Sequence, residues 1–370
     1  MNQEILSALK IVAVTFLCSA LIMPGMKKIA FHIGALDIPR SDEGNRHIHK
    51  RVMPKLGGVG IFLAFLVGYM LFHHQQCFLV WFVHFVNSIL IGSFIIILTG
   101  IIDDIKSIRA SRKLLGQLIA ACIIVFYGGI LLNNITAFGY TIDFGILSYP
   151  LTIFFIVACT NIINLIDGLD GLSSGITLIS CLSLMIIFSL NNSPIIAIIL
   201  TTALAGAIVG FLPYNFNPAK IFMGDSGSMF LGYIIAVIAL LGFKNVTLTS
   251  FIIPILLLAI PILDTLFAIL RRLINHKPLG EPDKNHLHHQ LLKLKLSQKK
   301  TVIIIYIVDL LFASASIVYA VGNSMLGSNI YGMVIYAILF VLILLLILKT
   351  NIIWNHDKKK EKAKEETKEK

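Results

Sequence analysis

The chain alternates long runs of apolar residues with short polar gaps, and the length of the runs sets the first expectation. Stretches of about 17 to 25 apolar positions cross a hydrocarbon layer as helices. The sequence predicts eleven such spans, near 4–26, 56–72, 79–101, 114–132, 148–163, 172–190, 194–212, 228–243, 249–270, 301–320 and 330–349. The largest gaps, about 27–55 and 271–300, fall short of the roughly 40 residues below which independent cores usually fail. The predicted fold class is therefore all-α, a polytopic integral membrane protein. One multi-span unit occupies residues 1–350, and a Lys/Glu-rich tail at 351–370 is expected to be solvated and disordered.

The basic residues add a direction. Lysine and arginine collect on one side: the gaps after spans one, three, five, seven and nine, together with the tail, hold 28 of the 30. Lys244 alone lies in an opposite gap, and Lys10 lies inside the first span. Positive residues stay in the cytoplasm, so the amino terminus is expected outside and the carboxy terminus inside. Met23-Pro24-Gly25-Met26-Lys27-Lys28 reads as a cytoplasmic boundary with no small-residue cleavage site, which makes the first span a helix and not a leader.

Composition agrees. With 57% hydrophobic and 13% charged residues and a mean hydropathy of +0.89, the chain cannot hide its apolar surface in one soluble core. The net charge of +11 is dispersed over loops with no nucleic-acid-binding pattern, so anionic membrane lipids are the expected partners and nucleic acid is not. Cys18, Cys77, Cys122, Cys159 and Cys181 have no metal spacing and read as packing residues.

Four acidic clusters interrupt this pattern, all on the side that collects the basic residues. Carboxylates at the ends of membrane segments are costly and read as functional. Asp103-Asp104 closes the third span, and Lys106, Arg109, Arg112 and Lys113 follow; adjacent carboxylates repel unless a cation offsets them. A plain alternative is that one of the pair caps the following helix. In Asn164-Leu165-Ile166-Asp167-Gly168-Leu169-Asp170-Gly171 each Asp precedes Gly, so tight turns present two carboxylates with no Lys or Arg in the loop. That charge calls for a cation, and hard oxygen ligands favour magnesium or manganese; an ordinary Asx-turn connector is the competing reading. In the third loop, Asn215 to Ser228, Asp225 is the candidate metal ligand. Glycines there would let backbone N–H groups approach a phosphate, while Phe222 offers a ring and Asn215 an amide for a base. Asp283 precedes His286-Leu287-His288-His289, whose imidazoles suit a diphosphate or sugar hydroxyls better than zinc, since the spacing is too tight for a structural zinc site. Arg46, His47, His49, Lys50 and Arg51 lead into Gly57-Gly58, a basic loop that would grip a phosphate or simply mark the cytoplasmic side.

Gly57-Gly58, Asp103-Asp104, Asn164 to Leu172, Asn215 to Ser228 and His286-Leu287-His288-His289 occur in one order over roughly residues 40 to 290. Together they resemble the polyprenyl-phosphate N-acetylhexosamine-1-phosphate transferases. The resemblance implies a magnesium-dependent transfer of sugar-1-phosphate from a UDP-sugar to a polyprenyl phosphate, with release of UMP, at the cytoplasmic face of the plasma membrane. Asp225 then matches the metal ligand. Asp103 and Asp104 match the acids beside the lipid phosphate, and Asp167 and Asp170 those near the nucleotide. Asn215 and Phe222 match uridine contacts, and His288 and His289, with His286, face the diphosphate and sugar. Arg51, Lys106 and Asn164 join the expected substrate-binding set. The His-Leu-His-His order resembles the branch that uses UDP-GlcNAc, as in priming of wall teichoic acid, and departs from the peptidoglycan branch with three consecutive histidines. The donor sugar and a homodimeric assembly are left open by the sequence. The rival class is a secondary transporter, for which Asp264 and Asp309, inside predicted spans, would form a coupling path.

Overall fold

A computed structural model describes residues 2–39, 51–76, 80–137, 140–191, 193–242, 248–274 and 286–326, with short helical pieces between 334 and 341. Asp283, the basic residues Arg46 to Lys50, most of the eleventh predicted span and the tail lie outside the described residues.

The described chain is a helix bundle. Helix α1 (Asn2–Ile33) is followed by two short strands, β1 (Leu36–Asp37) and β2 (Met53–Pro54), paired antiparallel. Then come α2 (Gly57–Gln76), α3 (Val80–Ile105) and α4 (Ala110–Cys122), the last running into a π-helical turn at Ile123–Tyr127. A β-hairpin, β3 (Asn134–Ala137) with β4 (Tyr140–Asp143), precedes α5 (Ser148–Ile166), α6 (Leu172–Leu190), α7 (Ile195–Asn215) and α8 (Gly224–Gly242). The described chain continues with α9 (Leu248–Leu257), α10 (Ala259–Ile274), α11 (Leu287–Lys293) and α12 (Gln298–Leu326). The two ribbons are small departures from an all-helical reading, and both sit at helix ends.

Eight described helices are long and apolar enough to cross a membrane. They correspond to the first, third to eighth and tenth predicted spans. The second span is the shorter apolar part of α2, Gly57–Leu71. The ninth is not continuous: it divides into α9 and α10 at Leu258. Pro261 explains the break, because it has no N–H to return to the carbonyl four residues earlier. That carbonyl, on Leu257, instead accepts the Ser180 hydroxyl at 3.3 Å. The same repair occurs in α1, where Pro24 frees the carbonyl of Ala20 and the Tyr214 hydroxyl donates to it at 3.0 Å. Backbone groups freed at membrane depth need such partners.

Helix α8 is the centre of the bundle. Every residue from Ser226 to Gly242 is buried, because α2, α3, α5, α6 and α7 all pack on it. A helix that is apolar on all faces belongs inside its protein, whereas the outer helices leave large apolar side chains such as Phe94, Phe154 and Leu310 exposed, as a lipid-facing surface does. The buried helix carries the Asp225 loop at one end, so what surrounds that end fixes the site.

Candidate active site at the start of helix α8

Gly224 opens α8 with a φ of +74°, a left-handed turn that glycine adopts freely. The first N–H groups of a helix have no partner within it. Here Asp104, near the end of α3, supplies one: its Oδ1 accepts the Asp225 N–H at 2.8 Å and its Oδ2 the Ser226 N–H at 3.1 Å. The carboxylate also faces the positive end of the helix dipole. This overturns the expectation that these N–H groups are free for a phosphate. The capping alternative holds in changed form, since the helix capped is α8 and not the one that follows.

Close approach makes this cap possible. A Cβ at Gly58 would fall 2.0 Å from the Cα of Gly227, and one at Gly100 would fall 2.2 Å from the Cα of Ser226. The N–H groups of Gly57 and Gly58 donate to the carbonyls of Phe222 and Met223 at 3.0 and 2.8 Å. Gly57-Gly58 is thus a packing surface for the third loop.

A charged group surrounds Asp225. The Lys113 ammonium lies 2.7 Å from Asp103 Oδ2 and 2.8 Å from Asp225 Oδ2, between two carboxylates. Asp103 also accepts the Ile108 N–H at 2.8 Å. Asn164 Nδ2 donates to Asp225 Oδ1 at 2.6 Å and to Ser228 Oγ at 2.7 Å. Lys106, expected to bind substrate, is exposed; Lys113 is the lysine that enters the site. Periodicity carries a signal for it, because Lys113 precedes the buried Gly116, Gln117 and Ala120 of α4 by three, four and seven residues.

A second, uncharged set of contacts holds Asp170. Its Oδ2 accepts Asn217 Nδ2 at 2.9 Å and the Ala219 N–H at 3.1 Å. Asn215, expected to meet a base, is buried with its amide engaged inside the chain: Oδ1 accepts the Gly171 N–H at 3.1 Å and the Ser174 hydroxyl at 3.0 Å, and Nδ2 donates to the Ile221 carbonyl at 3.2 Å. It ties the third loop to the Asp-Gly turn. Loss of solvation raises the Asp167 carboxyl to about 7, with the charges of Asp225, Asp104 and Asp170 adding to the effect.

Both sets border a cavity of ≈ 270 Å³, lined in part by Asp104, Asp167, Asp170, Phe222, Asp225 and Gln298. Asp103, Lys113 and Asn164 stand behind this lining. Lys55 also lines it, 3.8 Å from Asp37, and takes the place expected for the exposed Arg51, which does not border it.

The histidines pack beside the Asp167 turn without being part of this lining. Asp264 is not an isolated intramembrane acid: its Oδ2 lies 2.9 Å from His286 Nδ1, and its Oδ1 accepts the Leu287 N–H at 2.7 Å. It therefore ties the histidine segment and the start of α11 to α10. The rings of His286 and His288 stack with centroids 5.8 Å apart, and His289 lies 4.2 Å from His288. A Cβ on Gly168 would fall 2.5 Å from His288 Nε2, so this ring lies directly against the Asp167 turn. Burial drives the His288 imidazole down to about 3, with His289 reinforcing the shift, so it is neutral at physiological pH. Among the described residues, no three His, Cys, Asp or Glu side chains form a metal-binding group of their own. Asp309, the other intramembrane acid, is buried in α12 with neither carboxylate oxygen hydrogen-bonded.

The fold and site together are those of a polytopic membrane protein with an acidic cavity at the ends of its helices, where an ammonium group is set between two carboxylates. Residues 86–243 match glycosyl transferase family 4. The chain is 40% identical over 310 residues to the probable undecaprenyl-phosphate N-acetylglucosaminyl 1-phosphate transferase of Bacillus subtilis (strain 168), covering 82% of this chain and 83% of that protein. It is 32% identical over 307 residues to the decaprenyl-phosphate N-acetylglucosaminephosphotransferase of Mycobacterium tuberculosis (strain ATCC 25618 / H37Rv), covering 76% and 75%. Against the phospho-N-acetylmuramoyl-pentapeptide-transferase of Halalkalibacterium halodurans the identity is 31% over 320 residues, covering 82% and 93%. The chain belongs to glycosyl transferase family 4 and is a glycosyl-1-phosphate transferase.

Proposed function

We propose that the protein transfers GlcNAc-1-phosphate from UDP-GlcNAc to undecaprenyl phosphate, producing undecaprenyl-diphosphate-GlcNAc and UMP, as the first step of a cell-envelope polymer such as wall teichoic acid. The observation that carries this reading is the Asp103–Lys113–Asp225 arrangement at the edge of a cavity that also holds Asp167, Asp170 and Phe222. The similarity to relatives named for GlcNAc-phosphate transfer supports the donor. The distribution of lysine and arginine supports a cytoplasmic site, where a soluble nucleotide meets a lipid phosphate.

In this reaction an oxygen of the lipid phosphate attacks the sugar-bearing phosphorus, and the bridging oxygen leaves with UMP. Such a transfer depends on positioning and charge neutralisation. Lys113 holds positive charge between Asp103 and Asp225, Asp104 keeps the start of α8 in place, and Phe222 gives the base an aromatic face. No strong base is required of Asp103 or Asp104, because a phosphate monoester with a second pKa near 6 is already ionised at pH 7. The donor set suits magnesium: Asp225 and Asp103 present hard oxygens that already converge on one cation, the Lys113 ammonium. Magnesium is commonly held by one or two carboxylates together with substrate phosphates, not by an all-protein cage. Bound by Asp225 with Asp103, it would neutralise the diphosphate.

The test is UMP release by purified protein with undecaprenyl phosphate and magnesium, offering UDP-GlcNAc, UDP-GalNAc and UDP-MurNAc-pentapeptide in parallel. Turnover with UDP-GlcNAc that is lost on chelation and in Asp225→Asn supports the reading. Turnover only with the pentapeptide donor moves the protein to the peptidoglycan branch, and none with any donor sinks the proposal in favour of transport.

A further inference from the structure

Helix α12 lies beyond the residues matched by the family description, yet it reaches the Asp167–Gly171 turn at two points. At its first residue, Gln298 Oε1 accepts Asn217 Nδ2 at 2.8 Å, and the same nitrogen donates to Asp170 Oδ2 at 2.9 Å. An amide nitrogen carries two hydrogens, so Asn217 spends one on each partner. With the Ala219 N–H on the same Asp170 oxygen, the carboxylate cannot rotate without breaking bonds on one side. Two turns further along, the Tyr306 hydroxyl donates to the carbonyl of Gly171. Gly171 has a φ of +80° and directs its N–H to Asn215. A Cβ on Gly175 would fall 1.9 Å from the Tyr306 hydroxyl oxygen, so the ring occupies space that only glycine leaves open.

The turn needs outside support because it carries two carboxylates and no Lys or Arg, and like charges at short range push apart. We propose that Gln298 and Tyr306 are positioning residues that hold this turn for the sugar-nucleotide donor, Gln298 acting through Asn217 on Asp170 and Tyr306 acting on Gly171. The proposal rests on the reading that the cavity takes the UDP-sugar. Tyr306 does not border the cavity, and Gln298, which does, meets Asp170 only through Asn217, so the expected signature is a change in donor binding without a matching change for the lipid.

The experiment compares Gln298→Leu, Tyr306→Phe, Asn217→Ala and the Gln298→Leu/Asn217→Ala double variant, using steady-state kinetics with UDP-GlcNAc and undecaprenyl phosphate. Losing one hydrogen bond corresponds to about fivefold to tenfold in affinity. Gln298→Leu and Tyr306→Phe should raise KM for UDP-GlcNAc by that factor and leave KM for the lipid phosphate within about twofold. The double variant should be no worse than Asn217→Ala alone, the mark of two residues on one path. Multiplying effects would overturn the route through Asn217. Amide exchange gives a readout independent of catalysis: it should quicken over residues 167–172 in the variants and stay unchanged in α5 and α8, and a uniform increase would mean general destabilisation instead. Should the wild-type protein release no UMP, the functional reading falls, while exchange still decides the bracing.

Discussion

Asp104 Oδ1 accepts the backbone N–H of Asp225 at 2.8 Å, so one carboxylate of the conspicuous acidic pair holds the residue that carries the other half of the site. Asp104 and Asp225 therefore fail differently when altered. Asp104→Ala leaves the buried Ser226 N–H and the partly buried Asp225 N–H without their acceptor, and an unsatisfied buried donor costs about 1–3 kcal/mol. It should lower the thermal midpoint in detergent and reduce activity as a consequence. Asp225→Asn should abolish UMP release with little change in the midpoint. Equal midpoints for the two variants would refute the division.

Lys113 and Lys106 separate on the same logic. Lys113→Met removes the ammonium between Asp103 and Asp225, leaving two carboxylates free to attract a metal more strongly while phosphate charge goes uncompensated. We expect kcat to fall at least about tenfold, the scale of one lost charged contact in a transition state, with the magnesium midpoint moving to lower concentration. Lys106→Met should change neither. A magnesium titration of the three proteins checks this, and an unchanged midpoint in Lys113→Met would count against a shared cation site.

His288 predicts a pH dependence of stability with a definite sign. The unfolded chain takes up a proton at this imidazole near 6.5, whereas the folded chain refuses it until about 3. Below pH 6.5 the unfolded state binds the extra proton, so folding stability falls with pH by up to about 1.4 kcal/mol per unit from this group. Asp167 acts in the opposite sense: its folded carboxyl holds a proton up to about 7, so its contribution falls as pH rises from 3.8. In metal-free protein, His288→Gln should flatten the acid side of the stability profile and Asp167→Asn the side approaching neutrality. Thermal midpoints between pH 4 and 8 would show whether each variant flattens its own limb.

Asp264→Asn tests the tie between α10 and the histidine segment. The amide keeps an acceptor for the Leu287 N–H but no longer offers a carboxylate to His286. Amide exchange in α11 should quicken while α12 is unaffected, and UMP release should drop. Full activity would assign Asp264 to helix packing alone.

How much of this was legible in the sequence depended on distance along the chain. Helices came through wherever apolar length alone decides, and the ninth span is helical but interrupted at Leu258, since hydropathy is blind to the missing N–H of Pro261. The acidic clusters were visible as chemistry, but their partners were not. Asp104 meets Ser226 at a separation of 122 residues and Asn164 meets Asp225 at 61, and no local pattern encodes such pairings. Lys106 looked favourable because it is near Asp103 in sequence; the turn of α4 gave the place to Lys113. Asn215 does border the cavity, but nothing in the sequence revealed that its amide would also bond Gly171, Ser174 and Ile221.

The repair of α1 by Tyr214 bears on how the molecule is made. Ala20 is made before its partner, and the hydroxyl that completes its hydrogen bonding follows 194 residues later. Until α7 arrives, α1 carries an open carbonyl one turn before Pro24. Helix α1 is therefore completed by the helix that leads directly into the loop carrying Asp225.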